Sequence, residues 1–189
     1  MQELIIKVKL EVMNEIELHK KTSENHYDFW AEHIKYVYEE SIKLANKYGA
    51  NTEIVELGAL LHDIALIKRI GTRAEHHING AKIGKEILEK HNCPEDIKEK
   101  VLGCILNHRN LDSTTNIEER CVCDADCLSH FKNITMLYSV AFKQENITLD
   151  EVRSFMKKRL EKDYYDLSEN TRKEFEDQYK NIVNVVLGE

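Results

Sequence analysis

His62 and Asp63 are adjacent side chains that can bind a cation, and they follow an apolar run over residues 57–61. Burying an unpaired carboxylate costs free energy, so this position needs a charged partner. A metal ion is one such partner, because it keeps the carboxylate ionised and accepts the lone pair of a neutral imidazole. The dipeptide alone fits equally well with a histidine bonded to a carbonyl group and an aspartate that caps a helix.

Three more residues of this kind, His33, His108 and Asp126, lie among apolar residues at helical spacing. The stripe that contains His33 consists of Trp30, Ile34, Val37 and Leu44. The stripe that ends at His108 consists of Val101, Leu102 and Ile105. Each residue alone would be interpreted as a hydrogen-bonded core residue. Four helices that each bring a histidine or an aspartate to an apolar face favour one shared site.

Helices must position these residues, because one proline and seven glycines leave few turns for a many-stranded sheet. Thr52 is expected to cap a helix, Gly49 to end the one before it and Pro94 to occupy a first turn. The pattern predicts an all-α, single-domain helical bundle of about 7–9 helices over 1–189. Helical segments are expected near 2–20, 29–48, 52–67, 76–92, 94–110, 117–131, 133–143, 147–167 and 168–188.

Composition excludes several classes of protein. A net charge of −7 argues against a nucleic acid or an anionic membrane as the main partner. No window approaches the ~18 consecutive apolar residues of a membrane span. The first 18 residues mix charged with apolar positions, which is typical of an amphipathic helix and not of a signal peptide, so a cytoplasmic location is expected. The five cysteines are expected to be free thiols.

The order His33, then His62-Asp63, then Asp126 resembles the H…HD…D signature of the HD-domain superfamily. The segments LLHDIA, HHINGAKI, ILNHR and DADCL support the resemblance, which covers about residues 25–131 as a metal-binding core. The resemblance implies a helical bundle of the HD-domain type, in which these four residues bind a divalent metal (Mn, Ni, Zn, Mg or Fe).

The resemblance also selects between neighbouring candidates. Asp124 and Asp126 point about 200° apart on a helix, so only one can face the metal. The family's Ala-Asp pair followed by an apolar residue matches Asp126. Two further histidines bind a second ion in many members, and His76 and His108 match them, with His77 as the rival of His76. Contact with the substrate is the alternative role for these histidines, so one ion is expected and two are left open.

Basic residues near the signature are candidates for binding a phosphate. The resemblance implies that Lys68 faces the substrate phosphate and takes part in catalysis, while Asp63 orients or deprotonates the attacking water. Arg73, His77 and Arg109 are further candidates for substrate binding, since a guanidinium matches phosphate oxygens. A solvated basic loop is the alternative interpretation.

These features predict a metal-dependent phosphohydrolase that acts on a nucleotide or a related phosphoester or phosphoanhydride. Some nucleotidases of the superfamily carry a carboxylate three residues after the HD pair, where this chain has Leu66, so 5′-nucleotidase specificity is not expected. A di-iron oxygenase with the same ligand set is the alternative, and a non-catalytic regulatory module with a degenerate metal site comes third. The expected partner is a small phosphorylated substrate, and a homodimer is left open.

Overall fold

The computed structural model describes residues 1–24, 26–143 and 147–188. Residue 25, where the expected metal-binding core begins, and residue 189 lie outside the described residues. The described residues form ten α-helical segments and no strand, which confirms the all-α prediction. The segments are α1 (Gln2–Thr22), α2 (Lys35–Tyr48), α3 (Thr52–Leu61), α4 (Ile64–Ile67), α5 (His76–Lys90), α6 (Glu95–Asn107), α7 (Ile117–Lys132), α8 (Ile134–Ala141), α9 (Leu149–Tyr165) and α10 (Glu169–Leu187).

Nine of these segments contain at least eight residues, because only α4 is a single turn. A π-helical turn, Trp30–Ile34, leads into α2, and a short 3₁₀ helix, Leu111–Ser113, interrupts the predicted loop before α7. Among the described residues, no helix is both long and apolar enough to cross a membrane. All five cysteines are free and buried.

The helix ends differ in detail from the prediction. Asn51, and not Thr52, caps α3, because its side chain accepts hydrogen bonds from the backbone N–H groups of residues 53 and 54 at 3.0 and 3.3 Å. Pro94 precedes α6, and its carbonyl accepts the first bond of the helix from Lys98 at 2.8 Å. Gly49 ends α2 with φ 73°, the left-handed conformation that glycine adopts without strain.

The central element is α3, which packs against α1, α2, α6 and α7. Its apolar residues from Leu57 to Leu61 are completely buried, so the helix has no solvated face there. Gly58 permits a close approach to α6: a Cβ atom at this position would lie 2.7 Å from the Cβ atom of Cys104. The C-terminal end of α3 therefore holds His62 and Asp63 deep inside the bundle.

Three helix pairs surround this end of α3. The most extensive helix–helix packing joins α2 to α7, while α5 packs on α6 and on α4. The last two helices pack against each other, and α9 also covers α7. The π-helical turn, the start of α5, the end of α6 and the middle of α7 consequently meet beside His62 and Asp63.

Candidate metal centre

Six predicted side chains lie together where these helices meet. The π-helical turn carries one, the end of α3 two, and α5, α6 and α7 one each. Five are buried, and the sixth, Asp126, keeps 18 % of its side chain exposed. They are His33, His62, Asp63, His76, His108 and Asp126.

Backbone carbonyl groups determine which ring nitrogen carries the proton in three of the histidines. In His62, His76 and His108, Nδ1 lies 2.8, 2.7 and 2.7 Å from the carbonyl oxygen three residues earlier. A carbonyl oxygen can only accept, so Nδ1 carries the proton and donates it, which leaves the lone pair on Nε2. Hydrogen bonds of this kind hold the ring of a metal-binding histidine in place.

His33 has the same arrangement through a side chain. The Ser129 hydroxyl donates to the carbonyl oxygen of Asp126 at 2.7 Å, so its own oxygen is free to accept from Nδ1 of His33 at 3.2 Å. The Nε2 atom of His33 therefore also faces the cluster.

The Nε2 atoms meet in two pairs. They are 3.1 Å apart between His33 and His62 and 3.0 Å apart between His76 and His108. Two lone pairs at this separation repel each other unless a positive charge, either a proton or a metal ion, lies beside them. Buried imidazole nitrogens and carboxylates that converge in this way are the ligands that Zn²⁺, Fe and Mn²⁺ use in proteins.

Asp63 lies between the two histidine pairs and presents one oxygen to each. Its Oδ2 is 3.4 Å from Nε2 of His33 and 3.7 Å from Nε2 of His62. Its Oδ1 is 3.1 Å from Nε2 of His76 and 3.9 Å from Nε2 of His108. We call His33, His62 and Oδ2 of Asp63, together with Asp126, the first donor set. The second donor set consists of His76, His108 and Oδ1 of Asp63.

The two aspartates of α7 face opposite sides of the helix. Oδ1 of Asp126 lies 3.2 Å from Nε2 of His33, within the first donor set. Asp124 instead accepts hydrogen bonds from the backbone N–H of Ser168 at 2.7 Å and from the hydroxyl groups of Ser168 and Thr171 at 2.5 and 2.6 Å. Asp124 therefore joins α7 to the start of α10.

The electrostatic environment keeps both carboxylates of the centre ionised. Burial would raise the pKa values of Asp63 and Asp126, but the surrounding histidines outweigh it and hold both well below the usual range. Burial and the neighbouring charge of His62 lower the pKa of His108 to about 4, and burial also lowers the pKa of His62. Burial opposes the charged form of His33 too, but Asp126 and Asp63 raise its pKa to about 9. A proton on His33 thus occupies the place that a cation would take.

The structure distinguishes His76 from His77. Neighbouring residues on a helix point about 100° apart, and the second donor set contains His76. His77 belongs to neither set, and its buried Nδ1 atom has no hydrogen-bond partner among the described residues. Burial and the charge of Arg109 lower the pKa of His77. The contact of His77 with the substrate stays a prediction.

The predicted basic residues separate into two groups. Lys68 follows the single turn of α4 and donates a hydrogen bond to Glu15 of α1 at 2.5 Å, so the structure does not bring it to the donor sets. The chain turns sharply there, since Arg69 has a φ of 55°. Arg73 and Arg109 do line the space beside the donor sets, and Arg109 is held by the carbonyl oxygen of residue 74 at 2.7 Å.

The sequence interpretation missed His130 and two residues of α9. His130 stacks on His33, with ring centroids 5.6 Å apart, and lies close enough to His33 and Asp126 to share a cation with them. It also contacts Asp163 at 3.1 Å and Arg159 at 3.0 Å. Its separation from Asp126 by four residues on one helix was the available signal.

Two cavities reach the donor sets, and both touch His33 and Asp63. The larger one, of about 250 Å³, has a mixed wall with polar and charged residues, among them Arg73 and Lys143, and an apolar part. The apolar part consists of Tyr27, Phe29, Leu66, Met136 and Val140. The smaller one, of about 110 Å³, has a wall of charged residues. Its cations are Arg73, Arg109, Arg159 and Lys162. We call these the apolar cavity and the cationic cavity.

Known proteins resemble the chain over most of its length. The chain is 28 % identical over 152 residues to a tRNA (cytidine(56)-2′-O)-methyltransferase of Picrophilus torridus, a match that covers 72 % of this chain but only 42 % of that protein. It is 29 % identical over 140 residues to an uncharacterised protein of Methanocaldococcus jannaschii, covering 69 % of this chain and 74 % of that one. A crystal structure of an HD-superfamily hydrolase from Bacillus thuringiensis has the same fold, with a TM-score of 0.69, 24 % identity and coverage of 98 % and 94 % of the two chains.

The family model named HD domain matches residues 30–130, more than half of the chain. This segment begins at the π-helical turn that carries His33 and ends at His130, so it contains every residue of both donor sets. The chain therefore belongs to the HD domain family.

Proposed function

We propose that the protein is a metal-dependent phosphohydrolase that acts on a nucleotide or a related phosphoester or phosphoanhydride. One observation carries the proposal: two donor sets that share Asp63 adjoin a cavity whose wall contains four cationic side chains. Membership of the HD domain family and the fold shared with an HD-superfamily hydrolase support a metal-dependent hydrolase in general.

The two donor sets favour two ions. Asp63 presents a different oxygen to each set, so one carboxylate can bridge two cations. We therefore propose that a second ion binds, with His76 and His108 as its ligands. His33, His62 and Asp126 would hold the first ion. Bound divalent metal would lower the pKa of a coordinated water and polarise a phosphoryl oxygen.

The chain's own residues would bind and orient the substrate. No carboxylate of the described residues lies within ion-pair distance of Arg73 or Arg109, so both guanidinium groups are available to phosphate oxygens. Asp63, between the donor sets, is placed to orient the attacking water. Lys68, which is held by Glu15, has no part in this scheme.

The apolar cavity supports an organic group on the substrate. Tyr27 and Phe29 form an edge-to-face pair with ring centroids 4.8 Å apart, and Met136 and Val140 complete the same wall. A planar base can pack against aromatic rings of this kind. An organic group in the apolar cavity and a phosphate in the cationic cavity would meet at His33 and Asp63, which touch both.

A di-iron oxygenase is the second candidate, and the bridging position of Asp63 is the observation that favours it. Histidine and carboxylate ligands suit iron as well as the metals of hydrolases, so the donor sets fit both reactions. The cationic cavity favours phosphate chemistry. A regulatory module with a degenerate site is the weakest alternative, since all six donor side chains face the centre.

The test is metal analysis of protein purified without chelator, combined with release of phosphate from a panel of nucleotides with and without air. We expect about two divalent ions per chain and phosphate release that does not require oxygen. The matched variants are His62→Ala, which removes a ligand, and His91→Ala, which removes a histidine paired with Glu11 far from the centre. Two irons per chain with oxygen consumption and no phosphate release would replace this proposal with the oxygenase.

A further inference from the structure

Helix α9 lies outside the segment that matches the family model, yet it forms part of the cationic cavity. Two of its cations, Arg159 and Lys162, line that cavity together with Arg73 and Arg109. The family match therefore assigns no role to this wall.

Two residues, Asp163 and His130, hold Arg159 in a defined orientation. Its Nε–H donates to Asp163 Oδ2 at 2.7 Å, one turn later on α9. Its Nη2 atom lies 3.0 Å from Nδ1 and 3.2 Å from Nε2 of His130. Asp163 is 1 % exposed and also contacts His130 at 3.1 Å. Because Asp163 binds the guanidinium through Nε, the forked end of Arg159 is directed towards His130 and the cavity.

The charge of the wall suits a polyanion. Arg159 is paired with Asp163 and Lys162 with Asp166, whereas Arg73 and Arg109 have no such carboxylate among the described residues. Asp63 and Asp126 line the same cavity, so its four cations face four carboxylates in all. With metal ions bound to Asp63 and Asp126, the charges of Arg73 and Arg109 would be left for an anionic ligand.

We propose that Arg159 binds the second phosphate of a diphosphate or longer polyphosphate substrate, with Asp163 as its positioning residue. The inference rests on the proposed function, because the phosphorus under attack must lie at the donor sets. His130 shares a possible cation position with His33 and Asp126, and Nη2 of Arg159 lies 3.0 and 3.2 Å from its two ring nitrogens. Arg159 is thus one hydrogen-bond contact away from the first donor set, so a phosphate held at the donor sets and the next phosphate in a chain, beside Arg159, would occupy neighbouring positions.

The reaction this arrangement serves is hydrolysis of an anhydride bond. The oxygen of water forms a bond to the phosphorus at the donor sets, and the P–O bond to the adjacent phosphate breaks. The electron pair leaves with that phosphate, whose added negative charge Arg159 would stabilise. The proton of the water passes to the departing phosphate or to solvent, so the step needs no further reactant.

The experiment measures binding to the metal-loaded protein by calorimetry, with methylenediphosphonate and inorganic phosphate as the probes. In Arg159→Gln we expect about tenfold weaker binding of methylenediphosphonate, the loss of one charge-assisted hydrogen bond. Binding of inorganic phosphate should change by less than about twofold. The control is Arg153→Gln on the same helix, whose guanidinium pairs with Asp150 at the surface, and it should change neither affinity.

A second variant keeps the test valid if Arg159→Gln does not fold. Arg159→Gln combined with Asp163→Asn removes both charges, so no buried carboxylate is left without a partner. We expect the same loss of methylenediphosphonate affinity. Unchanged affinity in a folded variant with the parent's metal content would overturn the inference, because Arg159 would then serve only to neutralise Asp163.

The two proposals fail in different ways. If the parent protein releases no phosphate but Arg159→Gln still weakens methylenediphosphonate binding, the phosphohydrolase proposal is wrong and the anion site stands. If the parent releases phosphate from nucleotides and Arg159→Gln leaves both diphosphonate binding and the KM of a nucleoside triphosphate unchanged, the inference about Arg159 is wrong and the phosphohydrolase stands.

Discussion

Removing ligands from the two donor sets should give different metal contents. His108 belongs only to the second set, His62 only to the first, and Asp63 to both. We expect His108→Ala to leave about one of about two ions per chain. Asp63→Asn should weaken the binding of both ions, because the amide keeps the shape of the side chain but removes the shared negative charge.

The size of the effect on stability follows from linkage. An ion at a hundredfold excess over its Kd stabilises the folded chain by about 2.7 kcal/mol. In a chain of this length each kcal/mol changes Tm by about 2–4 °C, so each ion contributes about 5–11 °C. Added metal should therefore raise the Tm of the parent twice as far as that of His108→Ala. Asp63→Asn should respond least.

The assay combines elemental analysis of dialysed protein with thermal unfolding at a fixed metal concentration. His91→Ala is the control, since this histidine pairs with Glu11 of α1 and belongs to neither donor set. It should keep the metal content and the metal-dependent rise in Tm of the parent. Equal metal contents in the parent, His108→Ala and Asp63→Asn would refute the assignment of Asp63 as a shared ligand.

Three further predictions test other parts of the structure. Asp124→Ala should leave the metal content unchanged but lower the free energy of unfolding, measured by urea denaturation, by about 1–3 kcal/mol. The reason is that it removes the acceptor of three hydrogen bonds from the start of α10. Loss of metal would instead make Asp124 a ligand. Lys68→Ala should change kcat/KM by less than about twofold and the free energy of unfolding by less than about 1 kcal/mol, since it breaks only a pair with Glu15. A tenfold loss of kcat/KM would instead support the predicted contact of Lys68 with the substrate. Gly58→Ala should destabilise the folded chain by about 1–3 kcal/mol in thermal unfolding, because the new methyl group would collide with the Cβ atom of Cys104. Unchanged stability would show that α3 and α6 can move apart without cost.

The sequence alone determined the helical class and the helices that carry the centre. Apolar residues at helical spacing show which side of a helix will be buried, so His33 and His108 stood out as polar residues on such sides. This argument needs only neighbours along the chain. The order of His33, His62-Asp63 and Asp126 then indicated the family that the match over residues 30–130 shows.

The tertiary structure decided between candidates that the sequence left equal. Apolar stripes run along α5 on the sides of both His76 and His77, and only the packing of α5 against α6 places His76 opposite His108. Asp126 had already been preferred to Asp124 through the family resemblance, and the structure adds the role of Asp124, which accepts a hydrogen bond from Ser168 at the start of the distant α10. Helical periodicity shows which residues share a face but not which helix lies opposite that face.

The basic residues show the same limit most clearly. Lys68 is close to Asp63 in the sequence, yet the single turn of α4 and the left-handed Arg69 direct it to Glu15 of α1. Arg159 is 96 residues from Asp63 and nevertheless lines the cavity beside it. Sequence distance could not identify the second phosphate site, because the position of α9 follows from its packing on α7 and α8 and not from any local pattern.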